Sequence, residues 1–271
     1  MPEEQAKPAL LSSSRHPEFA AEQEALFREV LELMQRNCVP FAVSGAFALH
    51  RHSGVWRDTK DLDLFLPAVE VARALDLLAS DGFSTEVPDA VWLAKARRGD
   101  FFVDLITGMS NGVVRVDHTW ISRAQDSDIV GILARVLSPE ELIVSKIFVT
   151  RRERFDGADI CHIIYGTRGR FDWKRLLDLV GEHWQVLYWH LVLYHYVYPT
   201  STDYVPGEIW EEMQQRFKVE LEHPNKAIDF RGSLIDENMF NIDVVEWGKR
   251  NILEEYRRIA DLISFRTDEA A

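Results

Sequence analysis

The chain has 271 residues, 46% of them hydrophobic and 28% charged, a globular composition with enough length for a sizeable core. Its formal net charge of -13 argues against binding a long nucleic acid, which depends on many lysine and arginine contacts to phosphates, but leaves room for a local basic pocket. The most apolar stretch, residues 184–198, is too short to span a bilayer and carries His190 and His195, so no membrane partner is expected.

In chain order, residues 1–16 hold Pro2, Pro8 and a serine run and read as a flexible tail. The first twenty residues are polar and carry Glu3, Glu4 and Glu18, so no secretion signal is read there and a cytoplasmic protein is expected. Cys38 and Cys161 sit beside apolar residues without metal-ligand spacing and are expected to be reduced, buried thiols. Residues 19–36 place Leu26, Val30, Leu33 and Met34 at helical spacing. A short strand over 39–43 leads through Ser44-Gly45-Ala46 into a helix. A second strand covers 62–66, and Pro67 opens a helix over 68–80 that Asp81-Gly82 ends. Residues 91–96 and 101–106 flank Arg98-Gly99-Asp100 as a hairpin, and further strands are expected over 113–116 and 129–136.

At Ser138-Pro139-Glu140-Glu141 the character changes to helix. Helical patterns follow over 139–152, 157–165, 172–183, 185–198, 207–219 and 242–264. The expected plan is α+β: an α/β domain over 17–137 with a mixed sheet and flanking helices, then a C-terminal helical domain over 138–271.

The chemistry lies in "RDTKDLDLFL". Alternate strand residues share a face, so Asp61 and Asp63 point one way while Leu62, Leu64 and Leu66 face the core. Asp104, in "FFVDLITG", occupies another apolar strand and joins them if the strands pair. Close carboxylates repel unless a cation intervenes. Mg²⁺ suits such oxygen ligands and retains positions for phosphates; two ions would suit an in-line displacement at phosphorus. This reading requires that no lysine or arginine already neutralises the cluster. Taken alone, an Asp-x-Asp pair also describes an ordinary solvated strand face. Ser44-Gly45-Ala46 is placed to let a phosphate approach a helix N-terminus at the same sheet edge, although strand–glycine–helix turns are also common packing devices.

With Gly45-Ala46, Asp61-Leu62-Asp63 and Asp104 in that order, residues 39–106 resemble the nucleotidyltransferase superfamily related to DNA polymerase β, which includes antibiotic-modifying and toxin–antitoxin nucleotidyltransferases. Arg57 and Thr59 resemble the Arg-x-Thr-x-Asp-x-Asp wording of bacterial members. "SPEELIVSKIFVTRRERFDGADI" and "FRGSLIDENMFNIDVVEWG" resemble the helical half of uncharacterised bacterial members. The chain departs from the pattern in carrying Ala46 where Gly or Ser is usual, and in a slightly long spacing from Gly45 to Asp61.

The resemblance implies transfer of a nucleoside monophosphate from an NTP to an acceptor hydroxyl, with pyrophosphate leaving. Asp61, Asp63 and Asp104 would be the catalytic, magnesium-holding residues. Ser44, Gly45, Ala46 and Thr59 are the expected nucleotide-binding residues beside them. Lys146 is a further candidate to hold the triphosphate, with Arg57, Arg151, Arg152 and Arg154 behind it; a solvated helix end would explain the same basic residues. The acceptor could be a small molecule, a protein side chain or a tRNA end. A non-catalytic nucleotide-binding or toxin–antitoxin partner, and a metal-dependent phosphohydrolase, are the competing functions. His50 and His52 are expected to be ordinary loop histidines, and the aromatic run from Trp184 to Tyr198 to be core packing.

Overall fold

The computed structural model describes residues 19–265, so the tail expected over 1–16 lies outside the described residues. Helix α1 (Ala21–Arg36) buries Leu26, Phe27, Val30, Leu31 and Met34 along one stripe. Strand β1 (Ala42–Val43) turns at Ser44 into α2 (Gly45–Ser53), which ends in left-handed Gly54. Strand β2 (Asp61–Phe65) is followed by a 3-10 turn and α3 (Val71–Ser80), with Gly82 at φ +88 behind it. Then come β3 (Ser84–Asp89), β4 (Leu93–Arg98), β5 (Phe101–Ile106) and α4 (His118–Arg123). A last hairpin pairs β6 (Gln125–Ile129) with β7 (Ile132–Val136).

The seven strands form one mixed sheet in the order β3-β4-β5-β2-β1-β7-β6. β2 runs parallel to β5, and β1 parallel to β7; the other pairs are antiparallel. Leu62, Leu64 and Leu66 are fully buried, as their alternation requires.

From Pro139 onward the described chain is helical: α5 (Pro139–Val144), α6 (Gly157–Thr167), α7 (Trp173–Val180), α8 (Trp184–Val197), α9 (Gly207–Glu222), α10 (Gly232–Ile235), α11 (Asn241–Val245) and α12 (Ile252–Phe265). One apolar cluster runs from Leu26 on α1 through the sheet to Met213 on α9. Among the described residues no helix is long and apolar enough to cross a membrane.

Several expectations are corrected. The helix expected over 139–152 stops at Val144. The chain then folds back on itself, with Thr150 bridging Phe155 and the Asp156 N–H donating to the Val149 carbonyl. The pattern over 242–264 breaks into two helices at Gly248, whose φ of +65 leaves the helical region. Residues 129–136 are not one strand, because Val130 (φ +48) and Gly131 (φ +80) form the turn of a hairpin. Residues 113–116 make only an isolated bridge, Arg115 to Gly108. Cys38 is exposed, at φ +53 just beyond α1; Cys161 is buried, and burial pushes its thiol up to about 11. His50 and His52 lie on α2 and not in a loop.

Candidate active site

The carboxylates meet because of strand register. β2 and β5 are neighbours, and Asp63 lies directly beside Asp104 in the parallel ladder. Asp61 stands two residues earlier on the same face. Each of Asp61, Asp63 and Asp104 offers an oxygen within 4.8 Å of the others'. They open into a cleft of about 420 Å³ between the sheet edge, the 145–159 region and the C-terminal segment.

Backbone geometry fixes Asp63 closely. The Ser44 N–H donates to the Asp63 carbonyl at 2.9 Å, which ties the β1–α2 turn to β2. A Cβ built on Gly45 would lie 1.8 Å from Asp63 Oδ2, so glycine leaves the space that the carboxyl occupies. Its φ of +55 also favours glycine. Ala46, which takes the place of the usual second small residue, is half-buried and lines the cleft. Ser44 makes no side-chain cap to α2. The Thr59 hydroxyl donates to the Asp61 side chain and thereby orients it.

The electrostatics are unbalanced. Burial, reinforced by Asp61 and then Asp104, pushes the Asp63 carboxyl up to about 7, and Lys146 and Arg154 only partly offset this. Burial also raises Asp104 against the pull of Lys95. Among the described residues neither Asp61 nor Asp63 has an ion-pair partner; Asp104 does. Lys95 Nζ donates to both of its oxygens, at 2.7 and 2.8 Å. The requirement that no side-chain cation enter the cluster is therefore met at two of its carboxylates and not at the third. One ammonium against three carboxylates leaves a deficit of positive charge, which adds to burial in raising Asp63. Hard oxygens converging with that deficit fit Mg²⁺.

The basic candidates divide. Lys146 lines the cleft, but its buried ammonium is held between Asp156 at 3.0 Å and Asp159 at 2.9 Å. Arg57 pairs with the other oxygen of Asp159, and Arg154 grips Asp156 through two nitrogens at 3.2 Å. Burial pushes Asp156 up, yet Lys146 and Arg154 together hold it below the usual carboxylate range. Arg57 and Arg154 both line the cleft, as does Arg151, which donates to the Ser110 hydroxyl at 3.3 Å. Arg152 does not line it: its backbone N–H is tied to Asp236 and the residue is exposed. Sequence reasoning missed Asp156 and Asp159 as partners of Lys146, and missed Lys95 entirely. Lys95 alternates with buried Ala94 and Ala96, so the sequence alone marks it only as a residue on the face away from the core.

A family model described as "Nucleotidyl transferase of unknown function (DUF2204)" matches residues 23–180. The chain belongs to this nucleotidyl transferase family. The matched segment carries β1, α2, β2 and β5 with all three aspartates, and continues through Lys146, Asp156 and Asp159. Nucleotide transfer is the activity class of the family. No curated protein matches the chain significantly.

Three solved structures are similar to the chain at low identity. The solution structure of the antibiotic-resistance factor ANT(2'')-Ia is 17% identical with a TM-score of 0.45; the match covers 66% of this chain and 99% of that one. The lincosamide antibiotic adenylyltransferase LnuA, bound to lincomycin, is 14% identical with a TM-score of 0.38, covering 54% of this chain and 98% of its own. JHP933 from Helicobacter pylori is 12% identical with a TM-score of 0.38, covering 93% and 97%.

Proposed function

We propose that this family member is a Mg²⁺-dependent nucleotidyltransferase that moves a nucleoside monophosphate from an NTP onto an acceptor hydroxyl. The observation that carries the reading is the register of Asp63 beside Asp104, with Asp61 on the same face and the three within ligand reach of one another. These residues would hold the magnesium, which when bound neutralises the carboxylates and draws charge from the phosphoryl oxygens.

The chain's own groups supply the rest. The N-terminus of α2 offers backbone N–H groups from Gly45 and Ala46 to a phosphate, and the missing Gly45 side chain lets the Asp63 carboxyl lie against that turn. Thr59 keeps Asp61 oriented. Arg57 and Arg154 are anchored at one edge by buried carboxylates and keep further N–H donors for the triphosphate. Lys146 contributes by holding Asp156 and Asp159, which in turn hold the two arginines. Asp104 would take the acceptor proton. The acceptor oxygen then bonds to the α-phosphorus, the α–β bridging bond breaks, and pyrophosphate leaves. Positioning and charge neutralisation supply most of the acceleration, as in phosphoryl transfer generally.

On the C-terminal side of Asp63 and Asp104 the lining includes Phe65 and Ile106, and Trp92, Met109 and Leu234 are further apolar lining residues beside the polar Ser110, Asn111 and Ser233. Phe65 and Ile106 follow Asp63 and Asp104 by two residues and share their face. This side would take the acceptor, whether a small molecule, a protein side chain or a tRNA end.

Titration calorimetry with each NTP and Mg²⁺, followed by a pyrophosphate-release assay across an acceptor panel, tests the reading. Metal-dependent pyrophosphate release is the expected result. Binding with no release would favour a nucleotide-binding partner protein, and orthophosphate release without an acceptor would favour a phosphohydrolase.

A further inference from the structure

Lys95 sits within β4, and the antiparallel register places it directly opposite Asp104 on β5. Cross-strand partners point to the same face, so the lysine stands on the face that carries the carboxylates. Its Nζ contacts both Asp104 oxygens at 2.7 and 2.8 Å, and lies 5.8 Å from the ring centre of Phe102, two residues before Asp104. The two side chains are only 28% and 12% exposed, so water screens the pair weakly. Both ligand atoms of the third carboxylate are thus already engaged by a fixed positive charge. Any divalent ion that uses Asp104 has to share an oxygen with Lys95 or displace it, against the repulsion of the ammonium. An ion that uses only Asp61 and Asp63 meets no such competitor, because neither has an ion-pair partner among the described residues.

We propose that Lys95 is a positioning residue that reserves Asp104, so that the nucleotide-loaded protein fills its cation sites in order. The first divalent ion binds at Asp61 and Asp63. A second is held at Asp104 only as Lys95 gives up its grip. This rests on the metal-dependent reading above and gives Lys95 a part in it. The device has a use: Asp104 stays aligned and unligated until the rest of the site is assembled, which keeps the proton acceptor from engaging before substrate is in place.

The test is a Mn²⁺ titration followed by electron paramagnetic resonance, in the presence of a non-hydrolysable α,β-methylene ATP. The full chain is compared with Lys95→Met, which keeps the length of the side chain without its charge, and with Lys95→Arg, which keeps the charge. The unmodified protein should bind one Mn²⁺ tightly and a second at least about tenfold more weakly, about 1.4 kcal/mol. Lys95→Met should tighten the second ion by about tenfold or more and bring out the broadened signal of two neighbouring Mn²⁺ ions; Lys95→Arg should not. Equal affinities for both ions in the unmodified protein would overturn the proposal, as would a second-ion affinity in Lys95→Met within about twofold of the original. If Lys95→Met does not fold by thermal melting, Lys95→Gln takes its place with the same two criteria. Absence of any Mn²⁺ binding, with nucleotide present, would instead sink the metal-dependent reading and this proposal with it.

Discussion

Replacing Gly45 with alanine adds one methyl group at the point where the β1–α2 turn meets the carboxylates. That Cβ would sit 1.8 Å from Asp63 Oδ2 and 2.9 Å from its Cγ. Ordinary contact lies near 3.5 Å, so the carboxyl oxygen has to retreat by roughly 1.5 Å or the turn has to open. A displacement of about 1 Å at a reacting centre can cost about 100-fold in rate, so Gly45→Ala should lose at least that much transferase activity. The backbone adds a second penalty, because φ of +55 is a left-handed conformation that costs a non-glycine residue about 1–2 kcal/mol. For a chain of this size that is a fall in Tm of roughly 2–8 °C. The assays are pyrophosphate release for activity, Mn²⁺ affinity for the carboxylates, and thermal melting for the fold. The reasoning predicts a large loss in the first two against a modest loss in the third. Full turnover and unchanged Mn²⁺ affinity in Gly45→Ala would refute it.

Asp63→Asn should abolish turnover and leave Tm near that of the unmodified protein, because it removes a charge but little volume; retained activity would remove Asp63 from the site. Lys146→Ala should destabilise the protein by about 1–3 kcal/mol, since it takes the buried ammonium from Asp156 and Asp159 and leaves each with only a more exposed arginine, and a melting curve matching the original would contradict the buried network. His52 is buried with Nε2 2.7 Å from the Leu137 carbonyl oxygen, and burial holds its pKa down at about 4 against an ordinary 6.5. The unfolded chain therefore takes up the proton first. The neutral ring's contribution, about 3 kcal/mol, is present above pH 6.5 and is lost as the pH falls toward about 4. Denaturant titrations of His52→Gln across that window should show a shallower loss than the unmodified protein, and identical slopes would exclude His52 as a source of acid sensitivity.

The parts of the site that were legible in sequence obey short-range rules. Asp61 and Asp63 alternate with three leucines, and period-two alternation fixes which face each occupies. Gly45 follows a short apolar strand, where a turn into a helix has to leave room. The β4–β5 hairpin was marked by Arg98-Gly99-Asp100, with Gly99 at φ +64. What escaped depends on partners far along the chain. Lys95 looks like an ordinary charged residue on a polar strand until the register sets it against Asp104. Lys146 reads as a free phosphate ligand until the fold-back after Val149 brings Asp156 and Asp159 onto it.

The missed elements have local causes too. β3 is an exposed edge strand, Ser-Thr-Glu-Val-Pro-Asp, with neither an apolar alternation nor freedom from proline. α4 is only six residues long and owes its start to Asp117, whose carboxylate accepts from the N–H groups of Thr119 and Trp120. The β6–β7 turn uses Val-Gly, and valine at φ +48 is a poor local signal for a left-handed residue.

The most direct test of the central claim follows the α-phosphorus itself. The protein is incubated with NTP labelled at that position, Mg²⁺ and a cell extract as the source of acceptor, beside Asp63→Asn and a chelator control. The account predicts label attached to an acceptor with one pyrophosphate released per attachment, and none of either in both controls. Label that stays in free nucleotide, or leaves it only as hydrolysed monophosphate, would contradict nucleotidyl transfer at these carboxylates.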